Sequence, residues 1–199
     1  MGNGNYRIVV LLVPALFVSC DIFQTRTADP PAQTSSSYVS PVVASDVFDN
    51  MRSAFQDQNP ENYLKSFSDS ATFGRTFVFD ASPQARSQYF GVFIAWTKQS
   101  EQEYFTNMNA KILAGKAAGL SFTTLSAVSE QSDSAQYDAE YLLTVPHSQA
   151  GIPTVFQGRA QFFLIRNSLN STWSIWHWVD FRDAQNDPGW SDLKGAFAQ

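Results

Sequence analysis

Residues 135–145 read AQYDAEYLLTV. Successive side chains of an extended chain point to opposite faces. Tyr137, Ala139, Tyr141, Leu143 and Val145 therefore share one face, and Asp138 and Glu140 the other. A dry face backed by a wet one marks an antiparallel sheet covered on one side only. Three further stretches rich in aromatic and β-branched residues flank this one: Leu120–Ser129, Thr154–Arg166 and Trp173–Phe181. The intervening EQSDS, PHSQAGIP and NSLNS have turn chemistry. Strands of this length span roughly 30–45 Å. Sheets that long twist and curl, and the helices that precede them are the natural cover for the concave side.

Those helices are announced by Ser40-Pro41, Asn59-Pro60 and Ser82-Pro83, each a capping side chain before a proline suited to the first helical turn. Val43, Val47, Met51 and Phe55 then recur every fourth residue beside Phe48 and Ala54, which predicts one buried helix face. A short second helix is expected from Pro60 to Phe67, a strand over Phe73–Asp80, and a third helical region over Pro83–Ala110, divided at Gly91. Trp190–Phe197 closes the chain as one or two helical turns.

With 199 residues, 44% of them apolar and 15% aromatic, the chain holds enough core material for one domain and too much for a disordered one. Net charge is −5, and the basic residues are scattered singly. Nucleic-acid binding needs clustered cations, so it is not expected. One cysteine and two histidines exclude a disulfide framework and multi-cysteine zinc sites, and no metal or cofactor is expected.

The N-terminus is of another kind. Ile8–Val18 (IVVLLVPALFV) follows a polar segment with one cation, Arg7. It is too short for a hydrocarbon core that needs about 20 residues, but it suits the apolar region of a signal peptide. It ends at Ser19-Cys20-Asp21. A small residue before a lone cysteine at that point resembles the lipobox of bacterial lipoproteins. The resemblance implies cleavage before Cys20, lipidation of that cysteine (palmitate among its acyl chains) and a place in the cell envelope outside the cytoplasm. Phe17 stands where leucine is usual, and the alternative is an ordinary secretory signal. Gln24–Ser37 (QTRTADPPAQTSSS) lacks any large apolar residue and reads as a flexible tether. Taken from Asp21 to Val39, the tether would have a mean reach of roughly 25 Å. The expected organisation is a signal peptide over 1–19, anchor and tether over 20–40, and one domain over 41–199.

Helices, a strand, a further helix and a meander of long strands make an α+β order that resembles the NTF2-like cone, the superfamily of SnoaL-like and ketosteroid-isomerase-like domains. Residues 46–73 (DVFDNMRSAFQDQNPENYLKSFSDSATF) look like its opening helix pair, and WSIWHWVDFRD (173–183) with WSDLKGAF (190–197) like its closing strand and tail. The resemblance implies a cup that is a ligand pocket, a catalytic site or simply a core. Isomerase-like chemistry places a carboxylate base opposite a tyrosine or protonated acid in a dry cavity. Tyr63, Trp96, Tyr104 and Tyr141 are the candidate lining, with an ordinary core role as the alternative. His177 and Asp180 are the candidate bases. Alternation puts His177 with Trp173, Ile175 and Val179, and Asp180 with Trp176 and Trp178, on opposite sides. The structural alternative makes His177 a core-edge residue bonded to a backbone carbonyl, with Asp180 ending the strand or pairing with Arg182. Asp80 is expected to cap the Ser82-Pro83 turn, and Glu101 and Glu103 to be solvated. Two functional classes follow: an anchored lipoprotein that binds an envelope protein or a small hydrophobic ligand, or a cofactor-independent acid–base enzyme. The outer sheet face permits a homodimer.

Overall fold

The computed structural model describes residues 1–2, 37–183 and 187–198. The predicted signal segment, Cys20 and most of the predicted tether lie outside the described residues. A compact unit runs from Ser36 to Gln199. Its elements are α1 (Asp46–Gln56), α2 (Pro60–Leu64), α3 (Ser70–Phe73), β1 (Val78–Asp80), α4 (Pro83–Gln88), α5 (Lys98–Asn109), β2 (Gly119–Glu130), β3 (Ser134–Thr144), β4 (Val155–Arg166), β5 (Trp173–Phe181) and α6 (Trp190–Phe197).

The strands form one sheet in the order β1-β5-β4-β3-β2, antiparallel throughout β2 to β5. The alternation read in 135–145 is the alternation observed: Ala135, Tyr137, Ala139, Tyr141 and Leu143 are buried, while Asp138 and Glu140 are exposed. From β4 and β5 the same inner face receives Phe156, Ala160, Phe162, Leu164, Ile175 and Trp178. The helices cover it with Val47, Phe48, Met51 and Phe55 of α1 and with Tyr104, Phe105 and Met108 of α5. Rings meet edge to face, as their quadrupoles favour: Phe55 on Phe105 at 4.9 Å, and Phe48 on Phe162 at 5.2 Å.

Three local expectations are corrected. The first helix starts at Asp46 rather than after Ser40-Pro41. The preceding residues are used in docking: the Asn50 side chain bonds both the N–H and the carbonyl of Val39, and Pro41 accepts from the Trp173 amide. Val43 is thereby left half exposed, outside the buried face, and residues 37–40 belong to the domain more than to a tether. Only Val78–Asp80 of the expected strand is strand. Asp69 caps a helical turn over Ser70–Phe73, bonding the Thr72 amide at 2.8 Å, and Gly74 ends it at φ 70°. β1 then pairs with β5 in parallel, an exception to the antiparallel plan. The third helical region divides as expected into two helices. Gly91 at φ 88° lies between them, and the reciprocal Thr97–Ser100 cap opens α5.

The third correction decides the site. Phe163 pairs with His177 but Leu164 with Ile175, so Trp176 is a bulge. The extra residue shifts the phase of β5. Trp173, Ile175, Trp178 and Asp180 are buried, whereas Trp176, His177 and Val179 are only partly so. His177 thus parts from Trp173 and Ile175, and Asp180 from Trp176, although His177 and Asp180 still lie on opposite faces.

Gly158 of β4 stands opposite Tyr141 of β3. A Cβ there would meet the Phe181 carbonyl at 2.5 Å and the Tyr141 hydroxyl at 2.7 Å. The missing side chain lets the Tyr141 ring lie across the strand. Gly158→Ala is expected to cost about 1–3 kcal/mol in urea unfolding.

Candidate functional site

The inner face of the sheet converges on α6, and there the core becomes polar. A helix start leaves its first amides without partners. Here the Gly189 amide bonds the Asp192 carboxylate at 2.7 Å, the Trp190 amide the Tyr141 hydroxyl at 2.7 Å, and the Ser191 amide the Asp180 carboxylate at 2.8 Å. Tyr141 in turn donates to the other Asp180 oxygen at 2.7 Å, and the Ser191 hydroxyl also donates to Asp180. Asp192 is gripped from outside by both ends of the Arg182 guanidinium, at 2.9 and 2.6 Å. Strand β5 and helix α6 are therefore joined through side chains of Asp180, Arg182, Ser191 and Asp192.

One turn further on, α6 sends Lys194 into the core. Its ammonium bonds Glu101 of α5 and sits 3.6 Å from the ring centroids of both Phe79 and Trp178. Glu101 accepts also from the Trp96 indole at 2.7 Å and from the Tyr63 hydroxyl at 2.9 Å. Lys194, Glu101, Tyr63 and Tyr104 are all 0% exposed. Tyr104 accepts from the Trp190 indole at 3.1 Å. The electrostatics follow from this burial. Desolvation pulls the Lys194 ammonium down to about 8, against the opposing pull of Glu101. Burial pushes the Asp180 carboxyl up, while Ser191, Tyr141 and Lys194 act against it. It likewise lifts the hydroxyls of Tyr63, Tyr104 and Tyr141 well above their ordinary value, with Glu101 or Asp180 adding to the effect.

The structure brings the candidate lining residues together. Tyr63, Trp96 and Tyr104 surround Glu101, and Tyr141 stands on Asp180. They enclose side chains of the protein, because Trp190, Leu193, Lys194 and Phe197 of α6 occupy the space between helices and sheet. Among the described residues, the surface hollows lie elsewhere. One of about 270 Å³ lies on the outer sheet face by Thr124, Glu140 and Arg159, and one of about 440 Å³ by Arg75, Gln136 and Trp176. His177 points outward, stacks on Phe163 and meets Asp80 at 2.8 Å. Asp80 thus serves β1–β5 pairing instead of the Ser82-Pro83 cap, which Ser82 itself provides. Arg182 pairs with Asp192. His147 is tied into its loop by Pro153 and Gln149. Among the described residues no group of three or more His, Cys, Asp or Glu is placed to hold a metal ion.

Glu101, expected to be solvated, is instead the centre of the buried cluster, which also holds Lys194. The signal was present in helical spacing. Tyr104, Phe105 and Met108 lie three, four and seven residues after Glu101, and Trp190 and Phe197 lie four before and three after Lys194. Glu101 heads one apolar stripe, and Lys194 sits in the middle of another.

No family model matches the chain, and no curated protein does. Solved structures do match. An NTF2-like superfamily protein from Salmonella enterica serovar Typhimurium is 12% identical over 73% of this chain and 92% of its own, at TM-score 0.52. A provisionally named aromatic ring hydroxylase from Novosphingobium aromaticivorans is 16% identical over 70% and 85%, also at 0.52. A provisionally named scytalone dehydratase from the same organism is 8% identical over 72% and 87%, at 0.51. The domain has the NTF2-like cone fold, and identities this low speak to fold alone.

Removing one partner of a buried ion pair strands the other charge, whereas replacing both with neutral groups does not. Lys194→Met is expected to cost about 3–5 kcal/mol in urea unfolding, and Lys194→Met with Glu101→Gln to recover most of that loss.

Proposed function

We propose that the chain is a lipoprotein of the bacterial cell envelope, held at a membrane through lipidated Cys20, whose cone domain lies outside the cytoplasm and binds an envelope protein. The observation that carries this reading is the filled cone. An open cup would favour a small hydrophobic ligand, and a carboxylate facing it would favour acid–base turnover. Here both Asp180 oxygens are bonded to Tyr141 and Ser191, and Glu101 is bonded to Lys194, Trp96 and Tyr63. All five partners are buried, so a substrate would have to displace α6 to reach either carboxylate. What remains for recognition is the outer surface. The sequence supports the anchor: the only cysteine in the chain stands where the apolar segment ends.

Native mass spectrometry of the full-length protein, extracted in detergent from its own cells, tests this directly. The expected species begins at Cys20, carries acyl chains and retains no stoichiometric small molecule. A doubled mass would add a second copy as partner. A chain without acyl groups would overturn the anchor, and a retained small molecule would overturn the filled cone.

A further inference from the structure

The segment between α4 and α5 reads YFGVFIAW over residues 89–96, an unusually apolar run for a connection at the protein surface. Its inward half explains itself. Phe93 packs on Phe79 and Trp96 at 6.0 and 5.1 Å, Trp96 bonds Glu101, and Tyr89 covers Gly195 of α6 so closely that a Cβ there would lie 2.4 Å from its ring. The outward half has no such use. Phe90 is 90% exposed and Ile94 is 81% exposed. The backbone between them is held by the Val92–Tyr89 hydrogen bond and by the positive φ of Gly91, so the two side chains project from a fixed turn. Together with Gly91, Phe93 and Arg86 they border a shallow hollow of about 150 Å³.

Charge selects the occupant. From Ala81 to Ser100 the chain carries two cations, Arg86 and Lys98, and no carboxylate, although the protein as a whole is acidic at −5. Lys98 is shared with Asp69 at 3.9 Å, but Arg86 is exposed and forms no ion pair with any described residue. Projecting apolar side chains flanked by a free arginine match the layered chemistry of a membrane surface, hydrocarbon beneath anionic headgroups. Position agrees. Tyr38, where the described chain begins to dock, lines the same groove as Lys98. Lys98 follows Ile94 by four residues, a span of at most about 14 Å. Tyr38 thus lies on the side of the domain where the apolar turn leads into α5.

We infer that the turn at residues 89–95 is a membrane-contact wedge, in which Phe90 and Ile94 enter the interface of an anionic bilayer and Arg86 meets its headgroups. Its setting rests on the lipid-anchored reading. Its chemistry does not, because the wedge acts on a bilayer whether or not Cys20 is acylated. In an anchored protein it would turn a tethered domain into an oriented one, fixing which surface faces a partner.

The test uses unlipidated chain from residue 20 onward with Cys20→Ser, so loss of the anchor cannot mimic loss of the wedge. It is sedimented with vesicles of phosphatidylglycerol and phosphatidylethanolamine, and with phosphatidylcholine vesicles alone. The expected result is binding to the anionic vesicles that weakens in high salt and on phosphatidylcholine. Phe90→Asp with Ile94→Asp should lower it by about tenfold or more, with an unchanged urea transition. Arg86→Gln should lower binding to anionic vesicles while leaving the weak binding to phosphatidylcholine in place. Failure of the parent chain to bind, or binding unchanged by the double substitution, overturns the inference. So does vesicle-free self-association that the double substitution abolishes, because a second copy would then be the occupant.

Discussion

An ammonium group placed in an apolar core must be paired, or folding loses several kcal/mol. Lys194 meets that constraint with Glu101 and with the faces of Phe79 and Trp178. The rest of the interior is arranged around this pair. Glu101 draws in the Tyr63 hydroxyl and the Trp96 indole, which fixes α2 and the end of the 89–97 connection. Lys194 can reach Glu101 only when α6 lies against the inner sheet face, and Asp180 and Tyr141 hold the start of α6 there by taking up its first amides. A helix that in principle could stand at the edge of the sheet thereby becomes part of the core. Replacing the pair by neutral groups could be equally stable. Its particular effect is directional: a hydrophobic stripe alone would tolerate a slide or rotation of α6 that a single ammonium–carboxylate contact does not.

The consequence for function is a division between inside and outside. Inside, among the described residues, the buried carboxylates of Asp180 and Glu101 are each bonded to neighbouring side chains. Outside, the surface offers the His177–Asp80 pair beside Phe163, the Arg75–Trp176 contact next to it, and the apolar turn with Phe90 and Ile94. The cone fold accommodates both catalytic cups and packed cores, and this chain occupies the packed end of that range. The solved structures that share its fold include ones named for enzymes, and the groups that decide turnover are local to each protein.

Much of the architecture was legible because it repeats at short range. The period-two pattern of β3, the bounds of β5 and those of α6 follow from hydrophobic spacing and turn residues alone. What was not legible is non-local. The parallel pairing of β1 with β5 joins residues about a hundred positions apart. The bulge at Trp176 leaves no mark in the sequence of β5, because either phase of WSIWHWVDF places aromatic residues on both faces; only the partner strand selects one. Glu101 and Lys194 were hidden by a sound rule, that isolated charges belong in water, which fails when two helices bury complementary ones opposite each other. Asp80 and His177 met for the same reason that neither could be paired in advance: β1 is three residues long and owes its place to its neighbour.

The central claim is that α6 is a fixed part of the core and not a cover that opens. Native-state hydrogen exchange measures this most directly, because each amide reports the free energy of the opening that exposes it. The account predicts that the amides of Ser191 and Leu193, bonded to Asp180 and Gly189, exchange only through the global unfolding that releases the central amides of β3 and β4. Exchange of the α6 amides through a much shallower opening, with the sheet still protected, would contradict it. The interior would then be an accessible cup, with Asp180, Glu101 and Lys194 as its reactive groups.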